Sequence, residues 1–256
     1  MRKCIWCQRT EKETKFDKKA HSIPKNLGGE HICENVCDKC NEYFGKTGKG
    51  SPAIETVLKE TFNISRLLFL KSNNEVGKNK ALNRFSSIYF DIDLDKKKFK
   101  IKNAYKFQPY FQKRMCRLLK RGIYKMFLEE RERQFGDGLD KKYHFIREFA
   151  RYDIGDYPLY YFTRKLGVIL SIPDWFKHPE LFFEKEFPMK YLYSDSAFFE
   201  FEFLGHVFGI PVTRSWELFV LNYLKNSTQK KQKIFKSYKE IKRLDDMDLI
   251  LSVMSQ

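Results

Sequence analysis

Apolar residues at Met115, Leu118, Leu119, Ile123, Met126 and Phe127 recur at intervals of three and four, the period that puts side chains on one face of an α-helix. Ile54, Val57, Leu58, Phe62, Leu67 and Leu68 repeat that spacing, so residues 53–70 read as one helix and residues 143–152 as a shorter one. Elsewhere the period drops to two. Residues 85–94 and 99–107 flank the polar run Asp95-Lys96-Lys97-Lys98 and predict a β-hairpin; residues 159–172 predict another strand. Phe199, Phe201 and Phe203 alternate with Glu200 and Glu202, the pattern of a half-buried strand whose aromatic side chains enter the core. The glycine-rich residues 45–52 read as a turn or linker and lack the spacing of a nucleotide-binding loop, and residues 71–80 as a polar loop. This order predicts an α+β chain without internal repeats: a small unit at residues 1–60, then a larger mixed α+β domain at residues 61–256.

Charge adds a direction to that outline. The 256 residues carry 49 Lys and Arg against 33 Asp and Glu, a formal net charge of +16. Such an excess suits a polyanion, since phosphates neutralised by basic side chains release counterions. An AT-rich coding bias, which enriches Lys, Phe, Tyr, Ile and Asn together, would produce a similar composition, so the distribution of charge has to decide. Residues 96–133 hold 14 Lys or Arg and three acids. Lys113, Arg114, Arg117, Lys120, Arg121 and Lys125 all precede the first acid of that helix, Glu129, and the first five are the expected nucleic-acid contacts. Residues 225–243, with eight bases and one acid, read as a second phosphate-contacting segment or a flexible end.

No apolar run approaches the roughly 20 residues of a membrane helix, and the start Met-Arg-Lys-Cys-Ile-Trp-Cys lacks the apolar stretch of a signal peptide. A cytoplasmic location and no membrane partner are therefore expected. In a reducing compartment thiols stay free, so Cys4 and Cys7, and Cys37 and Cys40, each pair two residues apart, read as the four ligands of a structural zinc ion. Cys33 and Cys116 read as packing residues, with Cys33 an alternative zinc ligand.

Between the cysteine pairs stand Ala20-His21-Ser22-Ile23-Pro24, Gly28-Gly29 and Asn35, and Asn41 follows the last cysteine. Through these residues the segment 3–46 resembles an HNH endonuclease of the ββα-metal, or His-Me finger, class. The resemblance implies a zinc-clamped ββα module acting as a metal-dependent nuclease on DNA, with His21 as general base and Asn35 securing the hairpin and the base's orientation. Asn41 would offer its amide oxygen to a catalytic Mg²⁺ or another divalent cation. Resemblance to standalone bacterial HNH proteins places such a chain in defence against foreign DNA.

The resemblance leaves alternatives open. His31 is a rival base in the same hairpin. The class usually carries an acidic metal ligand directly before the catalytic His, and here that position is Ala20. Asp38, Glu42 and Glu55 are the carboxylates near in sequence, and Glu55 is the preferred substitute. A protein impaired by Ala20 that only binds nucleic acid, and an enzyme that cleaves RNA, are the competing readings. His144, His178 and His206 stand among aromatic residues and read as packing or hydrogen-bonding groups.

Overall fold

The structure, a computed structural model, describes residues 1–48, 51–62, 84–86, 88–93, 96–102, 108–165, 179–183 and 190–247. Among them the helices are α1 (Asp38–Gly45), α2 (Ile54–Thr61), α3 (Pro109–Phe135), α4 (His144–Tyr152) and α5 (Val220–Lys231). The strands are β1 (Arg84–Ser86), β2 (Phe90–Asp93), β3 (Lys98–Ile101), β4 (Tyr160–Arg164), β5 (Phe182–Phe183), β6 (Phe198–Phe203), β7 (His206–Pro211) and β8 (Phe235–Glu240). The fold is mixed α+β. β1, β2 and β3 form an antiparallel meander, and the other five strands an antiparallel sheet in the order β5-β6-β7-β4-β8.

Helix α3 is the axis on which the rest is assembled. Its 27 residues start at Pro109, where a missing N–H costs nothing, and stop at Gly136 in a left-handed conformation. From Met115 to Glu130 it is covered nearly all round, with only Arg117 partly exposed. On one side α2 packs closely: a Cβ at Gly122 would lie 2.7 Å from Leu58 Cγ, so glycine is what lets the two helices approach. On another side Phe127 sits in an aromatic cluster with Tyr143, Phe183, Phe199 and Phe201, at centroid distances of 5.8 to 6.0 Å. One hydrophobic core runs from Cys4 to Leu244 through this helix.

Four expectations change. The run at residues 85–94 is two strands rather than one, because Glu60 of α2 accepts the Ile88 N–H at 2.9 Å and Tyr89 turns into the core beside Gln112. β6 is not half-buried: Glu200 and Glu202 are 0% and 3% exposed, since α5 and its surroundings cover the face opposite the phenylalanines. Residues 225–243 are neither a free end nor wholly surface, for they build α5 and the sheet-edge strand β8. The basic face of α3 is largely interior. The later parts of the predicted helix at 53–70 and strand at 159–172, and His178, lie outside the described residues.

Candidate metal centre and active site

The N-terminal segment forms two tight turns that deliver sulfur. Cys4 donates its N–H to Arg9 and accepts that of Gln8, which takes a positive φ of 59° to close the loop. Cys37 stands just before α1, and its carbonyl accepts the N–H groups of Cys40 and Asn41 at 3.0 and 2.9 Å. The two turns meet where Ile5 N–H bonds Asn35 O, at 2.8 Å. The sulfurs of Cys4, Cys7, Cys37 and Cys40 all lie within 4.8 Å of one another, and Cys7 Sγ is 3.7 Å from Cys37 Sγ. Zinc fits this donor set, because four thiolates about 2.3 Å from a tetrahedral ion stand about 3.8 Å apart.

Without a cation the four sulfurs cannot all ionise. A hydrogen bond from Cys40 brings the Cys4 thiol down to about 5, whereas burial and its neighbours push Cys7 up to about 11 and donation to Cys4 raises Cys40. A divalent ion at the centre removes that conflict by accepting charge from all four. The Arg151 guanidinium, stacked 3.9 Å over Tyr43, bonds Cys40 and offsets part of the negative charge. Cys33 is buried among apolar residues and stands outside this cluster, as does Cys116, whose thiol reaches Ile241 O.

His21 and Ile32 form the one bridge of the hairpin, flanked by Ser22 N–H to His31 O at 3.1 Å and Cys33 N–H to Ala20 O at 2.9 Å. The turn folds back so tightly that a Cβ at Gly29 would come within 1.9 Å of Ile23 O, which only glycine permits. That places the Gly29 backbone against the His21 ring. Burial holds the His21 imidazole below its ordinary pKa, with Lys25 and Lys125 adding to the effect and Gly29 and Glu55 opposing it. His21 Nδ1 is buried and has no hydrogen-bond partner among the described residues. A neutral imidazole with an unpartnered ring nitrogen is the form that can accept a proton.

The other expected site residues are distributed around this point. Asn41 Nδ2 donates to Lys19 O at 3.3 Å. Glu55 Oε2 would stand 3.5 Å from a Cβ at Gly45, one helical turn beyond Asn41, and Glu55 Oε1 is 3.9 Å from Lys125 Nζ. Asp38 and Glu42 are engaged by Lys18, through its backbone N–H and its ammonium respectively. Asn35 bonds Glu132 of α3 at 2.5 Å. His31 faces Glu180 at 3.9 Å. Ala20 is 2% exposed and belongs to the hydrophobic core.

Of the five basic residues expected on the surface of α3, Lys120 and Arg121 are buried. Arg121 bonds Ala150 O and Tyr43 Oη and pairs with Asp153; Lys120 pairs with Asp156. Arg117 bonds Asp153 and Gly155 and stacks on Phe149 at 5.3 Å. These three join α3 to the loop after α4. Lys113 is exposed and Arg114 partly so, and a cleft of about 360 Å³ is lined by Tyr43, Lys46, Arg114, Arg117, Arg121 and Asp153. Sequence patterning missed Lys125, Glu129 and Arg147, whose partners lie more than a hundred residues away in the hairpin and the first cysteine turn. No local signal marks them.

A search of curated proteins and a search of solved structures returned no match. No helix among the described residues is long and apolar enough to cross a membrane. Residues 4–49, which contain all four clustered cysteines, His21, Asn35 and Asn41, match the family model described as HNH endonuclease.

Proposed function

We propose that this chain is a nuclease of the HNH type that hydrolyses phosphodiester bonds in DNA, with His21 as the general base. The observation that carries the reading is the His21 ring itself: partly buried, held neutral by its surroundings, with an unpartnered Nδ1, inside the segment that matches the family. His21 takes a proton from the attacking water, and the lowering of its pKa by burial favours the neutral form that can do so. Asn41 and Glu55 are the residues that would hold a divalent cation, which when bound supplies charge stabilisation at the phosphate and the leaving oxygen. Asn35 ties the end of the hairpin to Glu132 and so keeps the base's strand on α3. Defence against foreign DNA is the context this reading suggests.

The substrate strand would run over the cleft bordered by Lys46, Arg114 and Arg117. Lys46→Glu combined with Arg114→Glu should weaken DNA binding and reduce the slope of log affinity against log salt by about two, roughly one per phosphate contact. An unchanged slope would place the substrate elsewhere.

Plasmid nicking with and without EDTA is the direct test of activity. His21→Ala should lower the cleavage rate by about 10² to 10⁴ while leaving fold and DNA binding intact. One observation favours a second reading, in which the chain binds nucleic acid without cutting it: Ala20 lies in the core where the class usually presents an acid. EDTA-insensitive background nicking, equal in the wild type and His21→Ala, would decide for that reading.

A further inference from the structure

The backbone pairing that carries His21 is slight, amounting to one bridge and the two flanking bonds at 2.9 and 3.1 Å. Yet two consecutive carbonyls, those of His21 and Ser22, both accept from Lys125 Nζ of α3, at 2.7 and 3.1 Å. Lys125 is 1% exposed, and its ammonium lies 2.9 Å from Glu129 Oε2. Glu129, equally buried, accepts the Trp6 indole N–H at 2.9 Å. Trp6 stands between Cys4 and Cys7, with its ring 5.0 Å from Phe44 of α1.

Resting on the reading of His21 as general base, we propose that Lys125 is a positioning residue for that base and that Glu129 sets Lys125. The buried chain Trp6–Glu129–Lys125 then carries the geometry of the cysteine clamp to the His21 strand. Two of the ammonium's three donors go to the carbonyls, and the Glu129 carboxylate balances its charge as an ion pair at 2.9 Å. Stability alone does not account for the arrangement. A buried ion pair is often no more stabilising than apolar side chains of the same volume, whereas no apolar group can hold two adjacent carbonyls. α3 lies outside residues 4–49, so the matched segment does not hold all that orients its own histidine.

The test uses the full chain carrying Lys125→Met with Glu129→Gln, which removes both charges together and so avoids stranding a buried carboxylate. Lys125→Met alone serves as the harsher companion. Zinc content, the ¹³C-labelled histidine spectrum, the Kd for a labelled DNA duplex and the single-turnover cleavage rate are measured. The double variant should keep its zinc and the signals of the other four histidines. Its His21 signal should shift and broaden, and the cleavage rate should fall about 10- to 100-fold with the Kd within twofold. A His21 signal and rate like those of the wild type, in zinc-loaded protein, overturn the proposal. So does loss of zinc with collapse of every histidine signal in both variants, which would make the pair structural only. If the wild type cleaves nothing, the nuclease reading fails by itself, and the His21 signal still decides whether Lys125 positions the ring.

Discussion

The clamped hairpin and the five-stranded sheet solve the same problem with different constraints. In residues 1–48 the strand pairing consists of isolated bridges, Lys3 with Thr10 and His21 with Ile32, alongside Gly48 with Ser51 just beyond. In the sheet, β6 and β7 pair over six registered residues and β4 pairs on both sides. The hairpin is therefore held at points: four sulfurs, the Lys125 ammonium, and the Arg147 guanidinium on Ile5 O. The sheet is held along lines. Point constraints leave the backbone between them free to take the tight turn at Gly29, at the cost that each one matters separately.

Removing the metal should separate the two regions most. Structural zinc contributes apparent binding energies of about 10–16 kcal/mol in small modules, far more than the isolated bridges can replace. Chelation, or Cys37→Ser, should let the amides of residues 1–48 exchange freely while those of β6 and β7 stay protected in hydrogen exchange followed by mass spectrometry. Equal protection of the hairpin in zinc-free protein would show that packing on α3 holds it unaided.

How much of each region could be read beforehand follows the same division. The cysteine pairs were legible because their chemistry rests on spacing within a few residues, and the aromatic side of β6 because alternation is local. The partners of charged residues were not. Lys120, Arg121 and Lys125 have the signature of a solvated basic face, and Glu200 and Glu202 that of a solvated strand face, yet all five are buried. Each is compensated by a group remote in sequence: Asp156, Asp153, the His21 carbonyl, Lys231, and Arg164, with Glu129 adding a local i,i+4 partner for Lys125. Binary patterning equates polar with exposed, and an ion pair between distant elements breaks that equation without leaving a mark in either segment.

Breaking one such pair in the sheet should show what a line-held region tolerates. Glu200 is 0% exposed and accepts from Lys231, Ser227, Tyr223 Oη at 3.0 Å and Tyr193 N–H at 2.7 Å. Lys231→Met leaves that carboxylate buried without its cation, which should cost about 3–5 kcal/mol in denaturant unfolding. Adding Glu200→Gln should recover most of the loss, because the amide oxygen can accept the Tyr193 N–H while the Ser227 and Tyr223 hydroxyls, now facing the NH₂, can turn to accept from it. Zinc content should not change in either variant. If the single variant loses zinc, the two regions are coupled more tightly than their constraints suggest.

The smallest expected effect is a pH dependence within the sheet, and its sign follows from two neighbours across the β6–β7 turn. Burial raises the Glu202 carboxyl to about 7, against the pull of Arg164 at 3.4 Å, while burial and Arg164 lower His206 to about 4. Between pH 4.5 and 7 folded Glu202 keeps a proton that the unfolded chain has lost, so its stabilisation is complete below 4.5 and disappears as pH rises through 7. His206 works the other way. Its contribution is present above 6.5 and lost as pH falls through 4. The two slopes oppose each other over overlapping windows and flatten the wild-type curve. Glu202→Gln keeps an acceptor for Tyr191 and Arg164 but cannot titrate, so it should gain stability relative to the wild type as pH rises from 4.5 to 7. The gain should be on the order of 2 kcal/mol, discounting about 1.4 kcal/mol per pKa unit for the partners it retains. Parallel stability curves for the two proteins across that range would mean that Glu202 stays ionised in the fold, with Arg164 outweighing its burial.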